Sequence, residues 1–119
     1  MNYQLIKKND AQVINVAPEF KITHYGHLGN GITNGTVAEV NGRYPKFGWG
    51  MNKISDELVY VISGKGILEM PNEKVVLSEG DVAFVSKGQK IAWNGENLKI
   101  FIPCIPGWTE EQHELVNEN

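Results

Sequence analysis

Apolar and polar positions alternate at short period along almost the whole chain. The pattern predicts strands over residues 11–16, 20–25, 35–40, 46–54, 57–63, 66–70, 73–78, 81–85, 90–94 and 97–102. Turn-forming residues lie between them: Gly29-Asn30-Gly31, Asn41-Gly42, Ser63-Gly64-Lys65-Gly66, Pro71-Asn72, Ser78-Glu79-Gly80, Lys87-Gly88 and Asn94-Gly95. Many short strands with regular turns predict an antiparallel all-β sandwich or barrel. One short helix is expected near the C-terminus. There Thr109-Glu110-Glu111-Gln112 has the capping-box pattern, and Trp108 and His113 are spaced as a staple across it. Two acids in its first turn suit the helix dipole, and Leu115 and Val116 would complete an apolar face. Helix content is expected to stay below roughly 15%, well under the usual share.

At 119 residues the chain is expected to form one domain, 1–119, large enough for its own core. A hydrophobic content of 41% argues against disorder. The net charge of −3, with lysines scattered among acids, offers no footprint for nucleic acid or for an anionic membrane surface. No apolar run approaches the ~20 residues that cross a bilayer. Residues 1–10 are mostly polar and lack a signal-peptide core. Cys104 is the only cysteine, so no internal disulfide can form. These features point to a cytoplasmic protein without nucleic-acid or membrane partners.

Residues 57–88 carry the clearest motif. Glu57-Leu-Val-Tyr-Val-Ile-Ser-Gly64 is followed by Gly80-Asp81-Val-Ala-Phe-Val-Ser-Lys-Gly88. This resembles the paired motifs of the cupin family, and the likeness extends over roughly residues 45–103. The resemblance implies a small jelly-roll β-barrel. In cupins the first motif runs glycine, two histidines one residue apart, three or four residues, glutamate, six residues, glycine. Glu57 and Gly64 fit. The histidine places hold Gly50 and Asn52 with a gap of four, or Met51 and Lys53 with a gap of three. The longer gap leaves Asp56-Glu57 as the family often has it. In the second motif Gly80 and Gly88 fit, whereas Ser86 stands at the proline place and Ile91 at the histidine place. First-row metals want convergent imidazole, carboxylate or thiolate donors. Of the four family metal positions only Glu57 readily supplies one, so no metal and no cofactor is expected.

The resemblance points Glu57 into the barrel mouth, with Val59 and Val61 on the same face. A carboxylate against apolar walls has a raised pKa and can serve as a catalytic acid or base. The alternative is a structural carboxylate bonded to strand backbone or to Lys53. If Ile91 points inward, alternation brings Trp93 inward too, and an indole there gives a flat wall with one donor. Trp49, Asn52, Ile91, Trp93 and Phe101 are the expected ligand-binding residues beside Glu57. Lys53 and Tyr60 are the nearby candidates for a second titratable group. His24 and His27 lie on opposite faces of a regular strand and converge only if Gly26 bends the chain. His113 is expected to pack on Trp108, and Cys104 to be an unactivated thiol.

Three functional classes follow. The leading one is a non-catalytic binder of a small molecule. The second is a metal-independent isomerase or epimerase acting on a small sugar or keto compound, with Glu57 as proton carrier. The third is a metalloenzyme with ligands drawn from Glu57, His24, His27, Cys104 and His113. A homodimer is expected, because an open-ended barrel leaves strand edges to cover. Residues 11–16, with Val13 and Val16, are the candidate contact. Elemental analysis of the dialysed protein is expected to give far less than one equivalent of zinc, nickel, iron or manganese. Near one retained equivalent would overturn the reading of Gly50, Asn52 and Ile91.

Overall fold

The computed structural model describes residues 2–117. The strands are β1 (Gln12–Ala17), β2 (Phe20–Leu28), β3 (Thr33–Tyr44), β4 (Trp49–Asn52), β5 (Asp56–Met70), β6 (Glu73–Ser78), β7 (Val82–Val85), β8 (Ala92–Phe101), β9 (Cys104–Ile105) and β10 (His113–Val116). Eight of them form one curled antiparallel sheet in the order β1–β2–β3–β8–β5–β6, with β7 and β9 also paired to β5. The remaining two, β4 and β10, form a separate ribbon. The protein is therefore mostly β, with one sheet curled into a half-barrel and almost no helix.

Alternation sets the core. Along β5, Val59 and Val61 point inward and are fully buried, while Leu58 and Tyr60 face out. Ala38 and Val40 of β3 and Leu98 and Ile100 of β8 meet them across the same concave face. Burying each such Val, Leu or Ile contributes about 1.5–3 kcal/mol. Val13 and Val16 are three apart on β1, a spacing that puts them on opposite faces, and Val16 sits at the bulge between Asn15 and Ala17. Val13 lies on the outer side and Val16 on the cavity side, so they do not share one contact face.

Several glycine signals that predict turns instead mark bulges within long strands. The expected strands 57–63 and 66–70 are one strand, β5, and the expected 90–94 and 97–102 are mostly one strand, β8. Register shifts occur in β5 around Ser63 and in β3 between Val40 and Gly42. A bulge kinks a strand and increases its twist, and this is how strands this long bend around a barrel. Gly64 adopts φ +80°, and a Cβ there would run into the Asn97 carbonyl oxygen of β8. Only glycine combines that dihedral with that approach.

The expected C-terminal helix is replaced by a single 3₁₀ turn, Glu110–Gln112, followed by β10. Thr109 is extended and caps nothing. Gln112 turns instead to the β4–β5 connection. Its Oε1 accepts from the backbone N–H of Ile54 (3.0 Å) and Ser55 (2.7 Å), and its Nε2 donates to the Ser55 hydroxyl (2.8 Å). That hydroxyl donates in turn to the Pro106 carbonyl at 2.6 Å. A tertiary partner has outcompeted the local cap, and β10 gains a ladder with β4 that a helix would forgo. Replacing Gln112 with Ala strands two backbone donors, one of them buried. It is expected to cost roughly 2–3 kcal/mol, read as a lower urea midpoint at unchanged slope. An unshifted midpoint would refute this role for Gln112.

Candidate active site

The concave sheet and the β4–β10 ribbon enclose a cavity of about 470 Å³ with mostly apolar walls. Phe20 and Tyr44 stack on one wall, with centroids 4.3 Å apart and planes within 1°. Trp93 and Trp108 supply further aromatic surface. Such a space suits a small organic molecule with a few polar groups.

Glu57, Asn52, Ile91 and Trp93 all line this cavity. Trp49 does not. It sits three residues before Asn52 on β4 and so takes the opposite face, buried under the Arg43 guanidinium 5.1 Å from its ring centre. Phe101 does not line it either. Unbroken alternation from Trp93 would place Phe101 inside, but β8 is irregular near Asn97, which has φ +50°. The parity flips there. Leu98 and Ile100 turn inward, and Phe101 lies outside opposite Tyr60, 38% exposed. Lys53 also faces out, paired with Glu114 at 3.1 Å. Neither Lys53 nor Tyr60 is therefore a second titratable group in the cavity.

Glu57 is held on β5 between Val85 of β7 and Cys104 of β9. Among the described residues its one hydrogen-bond partner is the Cys104 thiol, with Sγ 4.0 Å from Oε2. No cation among the described residues pairs with the carboxylate, and burial pushes its pKa up to about 7. Cys104 is pushed up to about 12, first by burial and then by the Glu57 charge. It therefore remains a protonated, unreactive thiol at neutral pH. Glu69, only 8% exposed, shows the contrast. Burial works against its charge too, but hydrogen bonds from Asn94 (3.0 Å) and Arg43 (3.2 Å), with the Arg43 and Lys74 charges, hold its pKa below the ordinary value.

Two histidines enter the cavity. β2 bulges between His24 and Gly26, and Gly26 has φ +93°. His24 pairs with Thr36 and His27 with Asn34, so the bend brings both histidines to one face. They are nevertheless used differently. His24 Nδ1 lies 3.1 Å from the Thr36 hydroxyl, while His27 Nε2 bonds the Trp108 carbonyl at 2.7 Å. His113 arrives on β10 rather than on a helix. It still meets Trp108, with ring centres 5.9 Å apart, and its Nδ1 is 3.2 Å from Asn52 Oδ1. Burial lowers the pKa of both cavity histidines, and His27 adds to the effect at His24.

The family's metal positions do not fit a metal. Gly50 and Ile91 have no donor atoms, and Asn52 Oδ1 already serves Trp108 Nε1 (2.9 Å) and His113. Among the described residues no three His, Cys, Asp or Glu side chains converge on a point. The absent side chain at Gly50 has a use instead. A Cβ there would lie 3.3 Å from His113 Cε1, so glycine leaves the room that the imidazole occupies. In the sequence, the Trp108–His113 spacing marks a contact, but nothing there shows that β10 would carry His113 to the cavity.

Residues 45–97 match the family model of the EutQ-like cupin domain. Among solved structures, Streptomyces Pac13, described as a nucleoside dehydratase, superimposes with a TM-score of 0.83 at 20% identity, over 98% of this chain and 92% of that one. The polyketide cyclase RemF from Streptomyces resistomycificus gives 0.73 at 15%, over 98% and 87%. KdgF from Halomonas sp. gives 0.70 at 15%, over 87% and 94%. No curated protein matches the chain by sequence. The fold is that of the cupins.

The raised pKa of Glu57 has a thermodynamic sign. Below pH 4.5 the folded and unfolded chains both keep the proton. As pH rises towards about 7 the unfolded chain releases it first, so folding stability falls, by at most roughly 3 kcal/mol. Glu57→Gln removes this dependence. The variant is expected to melt close to wild type at pH 4.5 and above it at pH 8. A Glu57→Gln protein that is less stable than wild type at pH 8 would refute an unpaired carboxylate.

Proposed function

We propose that this cupin is a metal-independent acid–base enzyme acting on a small organic molecule, with Glu57 as its proton carrier. The observation that carries this reading is a carboxyl group inside an apolar cavity, with no cation beside it among the described residues and a pKa near neutrality. Such a group holds or releases a proton at working pH, which is what a catalytic acid or base requires. A purely structural carboxylate would be held ionised by partners, as Glu69 is. His24 and His113 supply the further titratable groups that a proton-transfer site calls for. Proteins of the same fold described as a nucleoside dehydratase and a polyketide cyclase support catalysis on small organic molecules in this barrel.

The second reading is a non-catalytic binder, favoured by the aromatic walls around Phe20, Tyr44 and Trp93. Incubation of the protein with small hydroxy-ketones and aldoses in deuterium oxide separates the two. Catalysis is expected to appear as exchange of carbon-bound hydrogen next to the carbonyl, with a rate that rises with pH and levels off above about 7. Glu57→Gln is expected to slow it by about 10²–10⁴-fold. Ligand-dependent quenching of indole fluorescence without exchange would establish the binder and reject the enzyme.

A further inference from the structure

Trp108 uses both of its N–H groups on asparagines that face the cavity. Its backbone N–H donates to Asn34 Oδ1 at 2.9 Å, and its indole Nε1–H donates to Asn52 Oδ1 at 2.9 Å. An N–H of either kind can only donate, so each bond fixes which end of the amide is oxygen. The consequences run to the two histidines and differ in sign.

At Asn52 the oxygen that receives the Trp108 indole also faces His113 Nδ1 at 3.2 Å. An oxygen with no hydrogen can only accept, so His113 must carry its proton on Nδ1. Its Nε2 is then a bare lone pair. At Asn34 the nitrogen end donates to the Thr36 hydroxyl oxygen (2.9 Å) and towards the Ile102 carbonyl (3.4 Å). The Thr36 hydroxyl hydrogen then has one acceptor within reach among the described residues, His24 Nδ1 at 3.1 Å. Thr36 Oγ1 could accept a second time, so it is the need to satisfy its hydroxyl hydrogen that has His24 accept on Nδ1 and carry its proton on Nε2. Both rings line the cavity, and neither Nε2 bonds to protein among the described residues. Burial favours the uncharged form of each.

We propose that Trp108 locks the two cavity histidines in opposite tautomers, and that the cavity thereby selects small hydroxy-carbonyl compounds. The Nε2–H of His24 donates to the carbonyl oxygen, and the Nε2 lone pair of His113 accepts from the hydroxyl. A compound with acceptors alone leaves the His113 lone pair facing a like group, which is how a polar site rejects a near-isostere. Phe20, Tyr44 and Trp93 give the carbon skeleton its apolar contact. This inference rests on the cavity being a small-molecule site, and not on Glu57 being catalytic.

Two-bond ¹H–¹⁵N correlation spectra of the labelled full chain distinguish a protonated ring nitrogen from a bare one. The chain has only three histidines, so single substitutions assign them. The wild type is expected to show Nδ1–H for His113 and Nε2–H for His24. Trp108→Phe keeps the backbone donor and removes the indole one, so it is expected to release the His113 tautomer and leave His24 unchanged. Thr36→Val is expected to do the reverse, and it keeps the test open should Trp108→Phe fail to fold. The same tautomer on both rings of the wild type overturns the lock. So does either variant that disturbs both rings alike.

The ligand arm titrates dihydroxyacetone, acetone and methoxyacetone, the last two having acceptor oxygens but no hydroxyl. Dihydroxyacetone is expected to shift both Nε2 signals, and the other two to bind at least about fivefold more weakly, as the loss of one hydrogen bond implies. Equal binding of all three, or of none, overturns the substrate class. Absence of hydrogen exchange with both tautomers in place sinks the catalytic reading alone, and identical tautomers sink the present one alone.

Discussion

Every polar group of Trp108 is engaged, and the cavity depends on that saturation. Its backbone N–H holds Asn34 on β3, its carbonyl receives His27 from β2, and its indole N–H holds Asn52 on β4. Three strands, each at least 56 residues away in sequence, are tied by one residue. An unsatisfied buried donor costs about 1–3 kcal/mol, so these bonds are hard to exchange for others. Gln112 repeats the logic a few residues later on the β4–β5 connection. The segment that follows the main sheet thus works as a strap, and the ribbon wall of the cavity exists because the strap is fastened.

Within that frame the two half-hidden carboxylates divide the work. Glu69 has Arg43 and Asn94 and stays ionised, a fastening between β3, β5 and β8. Among the described residues Glu57 has only a distant thiol, and burial raises its pKa to about 7. The difference lies in what the fold leaves unpaired rather than in residue type. A group left that way lowers folding stability at neutral and alkaline pH, a trade common at functional sites.

The cupin-like motifs placed Glu57 and Ile91 at the cavity, and alternation from Ile91 brought Trp93 with them, as the cavity lining has it. The place of Phe101 was not legible in the sequence, because one irregularity near Asn97 reverses parity, and an isolated asparagine does not announce a bulge. Gly42 and Gly64 looked like chain reversals for the same reason: glycine marks a bend without saying whether the strand ends. His24 and His27 could be placed on one face only with knowledge that Gly26 bends β2. The C-terminal helix failed because Thr109 and Gln112 satisfy a local rule, while Ser55 and Ile54 offered Gln112 better partners from far away. Local signals thus described the sheet well and the strap poorly.

The late position of β10 in the chain has a consequence for how the protein matures. Every strand of the large sheet precedes it in sequence, so a growing chain can close that sheet before His113 has been made. Until then β4 lacks its partner, and the space above Gly50 lacks the imidazole that fills it. The nascent barrel would carry Glu57 in a half-open, wetter setting, where a carboxyl group behaves as an ordinary acid. The buried setting that raises the pKa of Glu57 would be complete only once β10 has zipped onto β4.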